Sequence, residues 1–148
     1  MKTRFKLFGI ISIVALIGLL MAACATAPRT DGITPVLANF KTGVYDNPTD
    51  TFIDKNPLTT SERLSIAVSY SYDRTITKWF FTFKNSSGTV LWTDVRSFSR
   101  PSASNSIVSI GSWSLDGNPP GTYTFELYCE DNAGTKSNTV TADIVLNY

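Results

Sequence analysis

Apolar and polar residues alternate along much of this chain, a pattern typical of β-strands that bury one face. Residues 121–130 alternate most clearly, and their predicted inward positions are Tyr123, Phe125, Leu127 and Cys129. Residues 140–146 alternate in the same way, and residues 131–134 between the two runs are typical of a turn. The pattern therefore predicts a hairpin made of the last two strands of the fold.

Earlier segments carry the same two-residue period. Residues 63–72 predict a strand with Leu64, Ile66, Val68, Tyr70 and Tyr72 inward. Residues 75–84 predict the next strand, with Trp79, Phe81 and Phe83 inward and Phe80 either exposed or at a bulge. Residues 85–88 predict a hairpin turn before a return strand at 89–93. Further strands are predicted at 35–40, around Phe52 and at 106–110.

The serine-rich segment 94–106 shows little alternation and contains Pro101, so it predicts a loop with at most a weak strand near Phe98. No window after residue 23 has helical periodicity. Short strands separated by turns predict an all-β fold, a single antiparallel β-sandwich of about seven strands over residues 33–148.

The first 23 residues differ from the rest of the chain. Lys2, Arg4 and Lys6 precede an apolar run at 7–23, and small residues stand directly before Cys24. This order is typical of a bacterial export signal, here a signal-peptide helix over residues 1–23. The alternative is an uncleaved transmembrane anchor, for which the apolar run is a little short.

The cysteine directly after the small residues resembles the lipobox of bacterial lipoprotein signals, although Met21 stands where leucine is more common. The resemblance implies cleavage after Ala23, diacylglycerol on the Cys24 thiol, and a fatty acyl chain such as palmitate on the new amine. Two or three chains give stable anchoring, so the protein is expected on a membrane of the bacterial cell envelope, in either leaflet. Residues 24–32 are small and polar and predict a flexible tether.

Removal of the signal changes the charge balance. The whole chain has 13 basic and 12 acidic residues, and the three basic residues of the signal leave ten against twelve. Because nucleic-acid binding needs a basic surface and the chain has no basic cluster, a nucleic-acid partner is disfavoured.

The residue inventory restricts the chemistry. The chain has no histidine, which excludes histidine-dependent nucleophilic catalysis and histidine-bound metals. If Cys24 carries lipid, Cys129 is a lone inward thiol that behaves as a small hydrophobe. Asp46, Asp50 and Asp54 recur every fourth residue, and a solvated acidic loop is favoured over a calcium site. We predict no metal, no cofactor and no catalytic residues.

Three motifs resemble bacterial immunoglobulin-like and fibronectin type III-like domains over residues 33–148. They are Trp79 in the strand that would be C, Leu115 with residues 120–123 before strand F, and residues 130–138 as the F–G turn. Phe125 stands where antibody domains have their second cysteine, so Trp79, Phe125, Ile66 and Val68 would hold the core without a disulfide. The resemblance also implies a tyrosine corner, with the Tyr123 hydroxyl bonded to the backbone near residues 116–118.

Two tryptophans remain as candidate binding residues, because exposed aromatic side chains mark many binding surfaces. Trp113 is expected in the core, whereas Trp92 is as consistent with an exposed position as with a core one. The first functional hypothesis is a non-enzymatic binding or assembly module for a protein partner. The second is a lipoprotein that binds glycan in adhesion or as an accessory factor. A hydrolase with paired carboxylates ranks last, because a single sandwich offers no evident cleft.

Overall fold

A computed structural model describes residues 34–148 of the 148-residue chain. The predicted signal at 1–23, the predicted lipidation site Cys24 and the predicted tether at 24–32 lie outside the described residues. The structural findings below therefore concern the predicted sandwich alone.

The described part of the chain is built from β-strands and connecting turns. No helix within residues 34–148 is long and apolar enough to cross a membrane. The strands are β1 (Val36–Asp46), β2 (Thr51–Asp54), β3 (Leu58–Thr59), β4 (Arg63–Tyr72), β5 (Ile76–Asn85), β6 (Val90–Arg100), β7 (Ala103–Ser114), β8 (Gly121–Asp131) and β9 (Val140–Asn147).

These strands form two sheets. The four-stranded sheet has the order β2-β1-β4-β7, and the five-stranded sheet has the order β3-β9-β8-β5-β6. Neighbouring strands are antiparallel except β3 and β9, which pair in parallel. The protein is therefore all-β with a β-sandwich type of architecture. Nine strands are described, against about seven predicted. Strand β2 lies at the strand predicted around Phe52, whereas the two-residue β3 was not predicted.

The core lies between the two sheets and is rich in aromatic side chains. Trp79 and Phe125 of the five-stranded sheet are fully buried, as are Ile66 and Val68 of the four-stranded sheet. Rings meet across the interface, with 6.1 Å between the centroids of Tyr70 and Trp79. Packing of these large side chains joins the two sheets.

Tyr123 is buried at the start of β8, and its hydroxyl donates to the carbonyl of Pro119 at 2.6 Å. The predicted acceptor near residues 116–118 was wrong by one residue. Both amides of Asn118 donate to the Leu115 carbonyl and close a turn over residues 115–118. Pro119 directly follows that turn, and its carbonyl accepts from Tyr123.

The prediction of a loop at 94–106 was wrong. Strand β6 continues to Arg100, and β7 starts at Ala103, so Pro101 and Ser102 alone separate them. The alternation of β6 was hidden because charged residues share its inward side with aromatic ones. Likewise, the first strand runs beyond the predicted 35–40 to Asp46, where β2 pairs with it.

Candidate functional site

Strand β6 is an edge of the five-stranded sheet, where it pairs with β5 alone among the described strands. Its outward side chains include Leu91 and Val95, which are 43% and 53% exposed. An edge strand presents a row of unpaired backbone N–H and C=O groups. Strand β6 thus offers both unpaired backbone groups and exposed apolar side chains to solvent.

The inward side chains of β6 hold this edge against the core. The Trp92 ring stacks on Phe83 at 5.2 Å between centroids and meets Phe125 edge-on at 5.6 Å. Farther along β6, the Phe98 ring stacks on buried Trp79 at 5.4 Å. Aromatic pairs at these separations stabilise packing beyond the area that they bury. The edge is consequently attached to the sandwich near both of its ends.

A polar cluster lies between these two aromatic contacts and joins β6 to β7. Trp113 Nε1 donates to Asp94 Oδ2 at 2.8 Å, and Arg96 Nε donates to the same oxygen at 2.9 Å. The Arg96 guanidinium also lies 4.2 Å from the centroid of the Trp113 ring and donates to the carbonyl of Gly111. We refer to Asp94, Arg96 and Trp113 as the bridging cluster, because it spans the edges of the two sheets.

The electrostatics of the bridging cluster favour the ionised carboxylate. Burial alone would raise the pKa of the Asp94 carboxyl, but hydrogen bonds from Trp113 and Arg96 and the Arg96 charge hold that pKa below its ordinary value. Inward-pointing charges are one way in which proteins limit edge-to-edge aggregation. Here those charges are paired, so they also fix the position of β6.

The outer face of the five-stranded sheet carries an aromatic pair next to β6. Phe80 and Tyr128 stack with 4.5 Å between ring centroids and 2° between their planes. Phe80 also pairs in register with Val95 of β6, and Lys136 Nζ lies 5.4 Å from the Tyr128 centroid. Phe80 is thus a half-buried outward residue in regular register with both neighbouring strands, and the bulge offered as its alternative lies near Ile76 and Lys78.

The residues singled out from the sequence fall in different places. Trp92 is half-buried on the core side of β6, and Trp113 is buried, with 6.3 Å between their ring centroids. Trp79, Tyr123 and Phe125 lie in the core. The proposed role of Trp92 in binding stays a prediction, and the structure shows that its ring packs on Phe83 and Phe125.

Cys129 is fully buried on β8. Burial raises the pKa of its thiol to about 11, against a weaker lowering contribution from Ser137. A reactive cysteine needs a thiolate in an accessible, electropositive setting. Cys129 is instead buried, and its thiol has a raised pKa.

The three aspartates of the β1–β2 region contact different partners. Asp46 accepts from Thr49, Asp50 accepts from the Tyr45 hydroxyl, and Asp54 Oδ2 lies 2.8 Å from Lys41 Nζ. Within residues 34–148, no group of three or more histidine, cysteine, aspartate or glutamate side chains is placed to hold a metal ion.

The bridging cluster and the Phe80–Tyr128 pair were not predicted from the sequence. The one available signal was the spacing of Trp92 and Phe98, which lie six residues apart and so share one face of a continuous strand. No protein-family model matches this chain. A search of curated proteins likewise finds no match.

Proposed function

We propose that this chain is a lipid-anchored, non-enzymatic binding module of the bacterial cell envelope, which contacts a protein partner through the edge strand β6. The observation that carries the proposal is the combination of an unpaired edge with exposed Leu91 and Val95 and an inward side fixed by the bridging cluster. An extended segment of a partner can add to such an edge by backbone hydrogen bonds, while pockets and side chains provide specificity.

Strand length supports the choice of β6 over the β2 edge of the other sheet. Strand β2, the edge of the four-stranded sheet farthest from β7, has four residues, whereas β6 has eleven. A longer edge offers more backbone hydrogen bonds to an added strand. A strand already held in its bound conformation also loses less conformational freedom on binding.

The immunoglobulin-like part of the proposal is supported by the strand order. Strands β1, β4 and β7 are neighbours in one sheet, and β9, β8, β5 and β6 are neighbours in the other. This order matches strands A-B-E and G-F-C-C′ of the fibronectin-type arrangement that the sequence resembles. The bond from Tyr123 to the Pro119 carbonyl has the form of a tyrosine corner.

The proposed lipid anchor is supported by the sequence. The proposed absence of catalysis is supported by the residue inventory and by the burial of Cys129. The basic start, the apolar run and Cys24 favour a lipoprotein signal. The chain has no histidine, and Cys129 is a buried thiol with a raised pKa. The chain therefore offers no histidine-activated nucleophile, and the Cys129 thiol is neither accessible nor readily ionised.

Site-specific photo-crosslinking in native membranes tests the proposed surface. A photoreactive residue at Thr93 lies on exposed outward β6, and one at Thr51 lies on exposed β2 as the matched control. The proposal expects a discrete crosslinked protein from Thr93 and none from Thr51. The same product from both positions, or from Thr51 alone, would rule out β6 as the contact.

Glycan binding is the second candidate function, and the outward Phe80–Tyr128 pair favours it. Sugars pack on aromatic surfaces, and of the aromatic residues discussed above this pair faces away from the core. A glycan array probed with wild type and with Tyr128→Ala separates the two functions. Array binding that Tyr128→Ala abolishes would favour the glycan function, whereas an array without signal would leave the protein partner.

A further inference from the structure

A cavity lies on the outer face of the four-stranded sheet, whereas β6 belongs to the other sheet. It has a volume of about 330 Å³, and its lining includes Tyr45, Asn47, Arg63, Ser65, Gly111 and Ser112. Small-molecule sites typically measure about 300–1,000 Å³ and combine a largely preformed cavity with a few convergent polar groups. This cavity is at the small end of that range, and the residues named combine apolar surface with hydroxyl, amide and guanidinium groups.

The floor of the cavity contains a buried hydroxyl without a partner. Ser65 is 1% exposed, and its Oγ has no hydrogen-bond partner among the described residues. Buried polar groups are nearly always hydrogen-bonded, because leaving one unpaired costs its full desolvation free energy. An unpaired hydroxyl that lines a cavity therefore points to a polar ligand in that cavity.

A glycine on the neighbouring strand leaves space for such a ligand, because it has no side chain. Gly111 on β7 is paired with Ser65 on β4, and a Cβ at position 111 would lie 2.5 Å from Ser65 Oγ. Any larger residue would press against the hydroxyl. Glycine in a strand interior often marks a place where another group approaches the backbone closely.

Ser69 on the same face of β4 shows what an ordinary buried serine does in this sheet. Its Oγ accepts a hydrogen bond from Asn39 Nδ2 at 3.3 Å, and it is 5% exposed. Burial and residue type are the same for Ser65 and Ser69. The difference is that Ser65 lines the cavity and finds no partner among the described residues.

The cavity carries a positive charge. Arg63 is exposed, and its guanidinium is held in place by Ser112, with 3.0 Å between Nη2 and the Ser112 carbonyl oxygen. Arg63 forms no ion pair with any carboxylate in residues 34–148. Asp50, between β1 and β2, accepts from the hydroxyl of Tyr45, which lines the cavity. A fixed guanidinium beside several hydroxyl donors is typical of carboxylate and phosphate recognition.

We propose that this cavity binds the carboxylate or phosphate group of a small ligand, with Arg63 supplying the charge and Ser65 donating its hydroxyl to an anionic oxygen. The cavity lies on the other sheet from β6 and shares with it the contact between Arg96 and the Gly111 carbonyl. It adds a ligand function to the proposed binding module. An anionic group there would accept from the Ser65 hydroxyl and supply the negative charge that Arg63, bonded to Ser112 alone, does not meet in residues 34–148.

Amide chemical shifts of the full ¹⁵N-labelled chain, in a non-ionic detergent without sugar headgroups, test the site. Phosphate, acetate and glucose are titrated separately, with chloride used to keep the ionic strength constant. We expect saturable shifts around Ser65 and Gly111 with phosphate or acetate, and none with glucose. Shifts that follow chloride equally well, or saturation with glucose alone, would overturn the proposal.

Four variants decide whether the named residues are responsible. Arg63→Gln should weaken anion binding by about tenfold or more, and Ser65→Ala by about threefold or more, as expected when a charged and a neutral hydrogen bond are lost. Ser69→Ala is the control for a buried serine, and Arg100→Gln is the control for the loss of one positive charge. Both controls should keep wild-type affinity. Equal weakening by Ser69→Ala and Ser65→Ala, in folded protein with a native amide spectrum, would contradict the site.

Discussion

Trp113 on β7 donates its indole N–H to Asp94 on β6, with 2.8 Å between Nε1 and Oδ2. Because β6 and β7 are edges of different sheets, this bond and its Arg96 partner close one side of the sandwich. The two strands follow one another in sequence with two residues between them. The same cluster therefore fixes a crossing between sheets and the edge that we propose as the binding surface.

Replacement of Asp94 tests the contribution of the bridging cluster to stability. Asp94→Ala should lower the free energy of unfolding by about 1–3 kcal/mol, because it removes the acceptor of one neutral and one charged donor. Asp116→Ala is the control, since Asp116 is exposed and its carboxylate accepts from the nearby Ser114 hydroxyl. Its effect should stay within about 0.5 kcal/mol. Urea unfolding that gives the same loss for both variants would mean that the cluster contributes nothing to stability.

Replacement of Trp79 tests which face of β5 is packed in the core. Trp79 is fully buried and contacts Tyr70 and Phe98, so Trp79→Ala should cost about 3–5 kcal/mol. Phe80→Ala, one residue later, removes an outward ring that stacks on Tyr128 and should cost about 1 kcal/mol. Thermal unfolding measures both. Similar melting temperatures for the two variants would show that the inward and outward faces of β5 have been exchanged.

Asp131 gives a pH-dependent prediction. It is 3% exposed and accepts from the Tyr72 hydroxyl at 2.6 Å and from the backbone N–H groups of Ala133 and Thr135. Burial opposes ionisation, but these hydrogen bonds outweigh it and hold the pKa of Asp131 below its ordinary value of 3.8. The carboxylate therefore stabilises the fold above about pH 4, and this contribution is lost as the pH falls through the folded pKa.

Asp131→Asn should accordingly be less stable than wild type by about 1–3 kcal/mol at neutral pH. The difference should narrow as the pH falls below about 3, because asparagine does not titrate and the wild-type carboxylate becomes protonated. Unfolding free energies measured from pH 7 down to pH 2 give the two curves. Parallel curves over this range would show that the ionised form of Asp131 is not the stabilising one.

Replacement of Cys24 tests the proposed lipid anchor. The full chain produced in a bacterial host should incorporate labelled palmitate and partition into detergent, because the signal resembles that of a lipoprotein. Cys24→Ser should remain an unprocessed precursor, whereas Cys129→Ser, the matched change at the other cysteine, should be processed and labelled normally. Cleavage and release of Cys24→Ser at the wild-type rate would show that the signal is of another kind.

Strands with apolar residues on one face could be predicted from the sequence. The inward sets of β4 and β8 follow a period of two, as does that of β5 from Trp79 to Phe83, and β4 has the predicted bounds of Arg63 and Tyr72. Strand β6 was missed beyond Thr93 because Asp94 and Arg96 take inward positions. Their burial is tolerated through pairing with Trp113, nineteen residues after Asp94, which local periodicity does not encode.

The cavity around Ser65 could not be predicted from the sequence, for a related reason. The sequence shows small residues alternating along β4, and these predict a solvated outer face. The structure buries Ser65, Ala67 and Ser69 because β4 is central in its sheet and both neighbouring strands cover its small side chains. Which of the two serines lacks a partner depends on the register with Gly111, a tertiary relationship.

The dissociation constant of the complex between this protein and its crosslinked partner distinguishes β6 from the opposite edge. Val95→Lys and Ile53→Lys are matched changes, since each replaces a β-branched residue about half exposed on an edge strand, at 53% and 46%. Lysine on an edge opposes strand addition. We predict that Val95→Lys weakens binding by about tenfold or more, equivalent to about 1.4 kcal/mol, with Ile53→Lys within about twofold of wild type. Wild-type affinity in Val95→Lys, or an equal loss in Ile53→Lys, would contradict binding through β6.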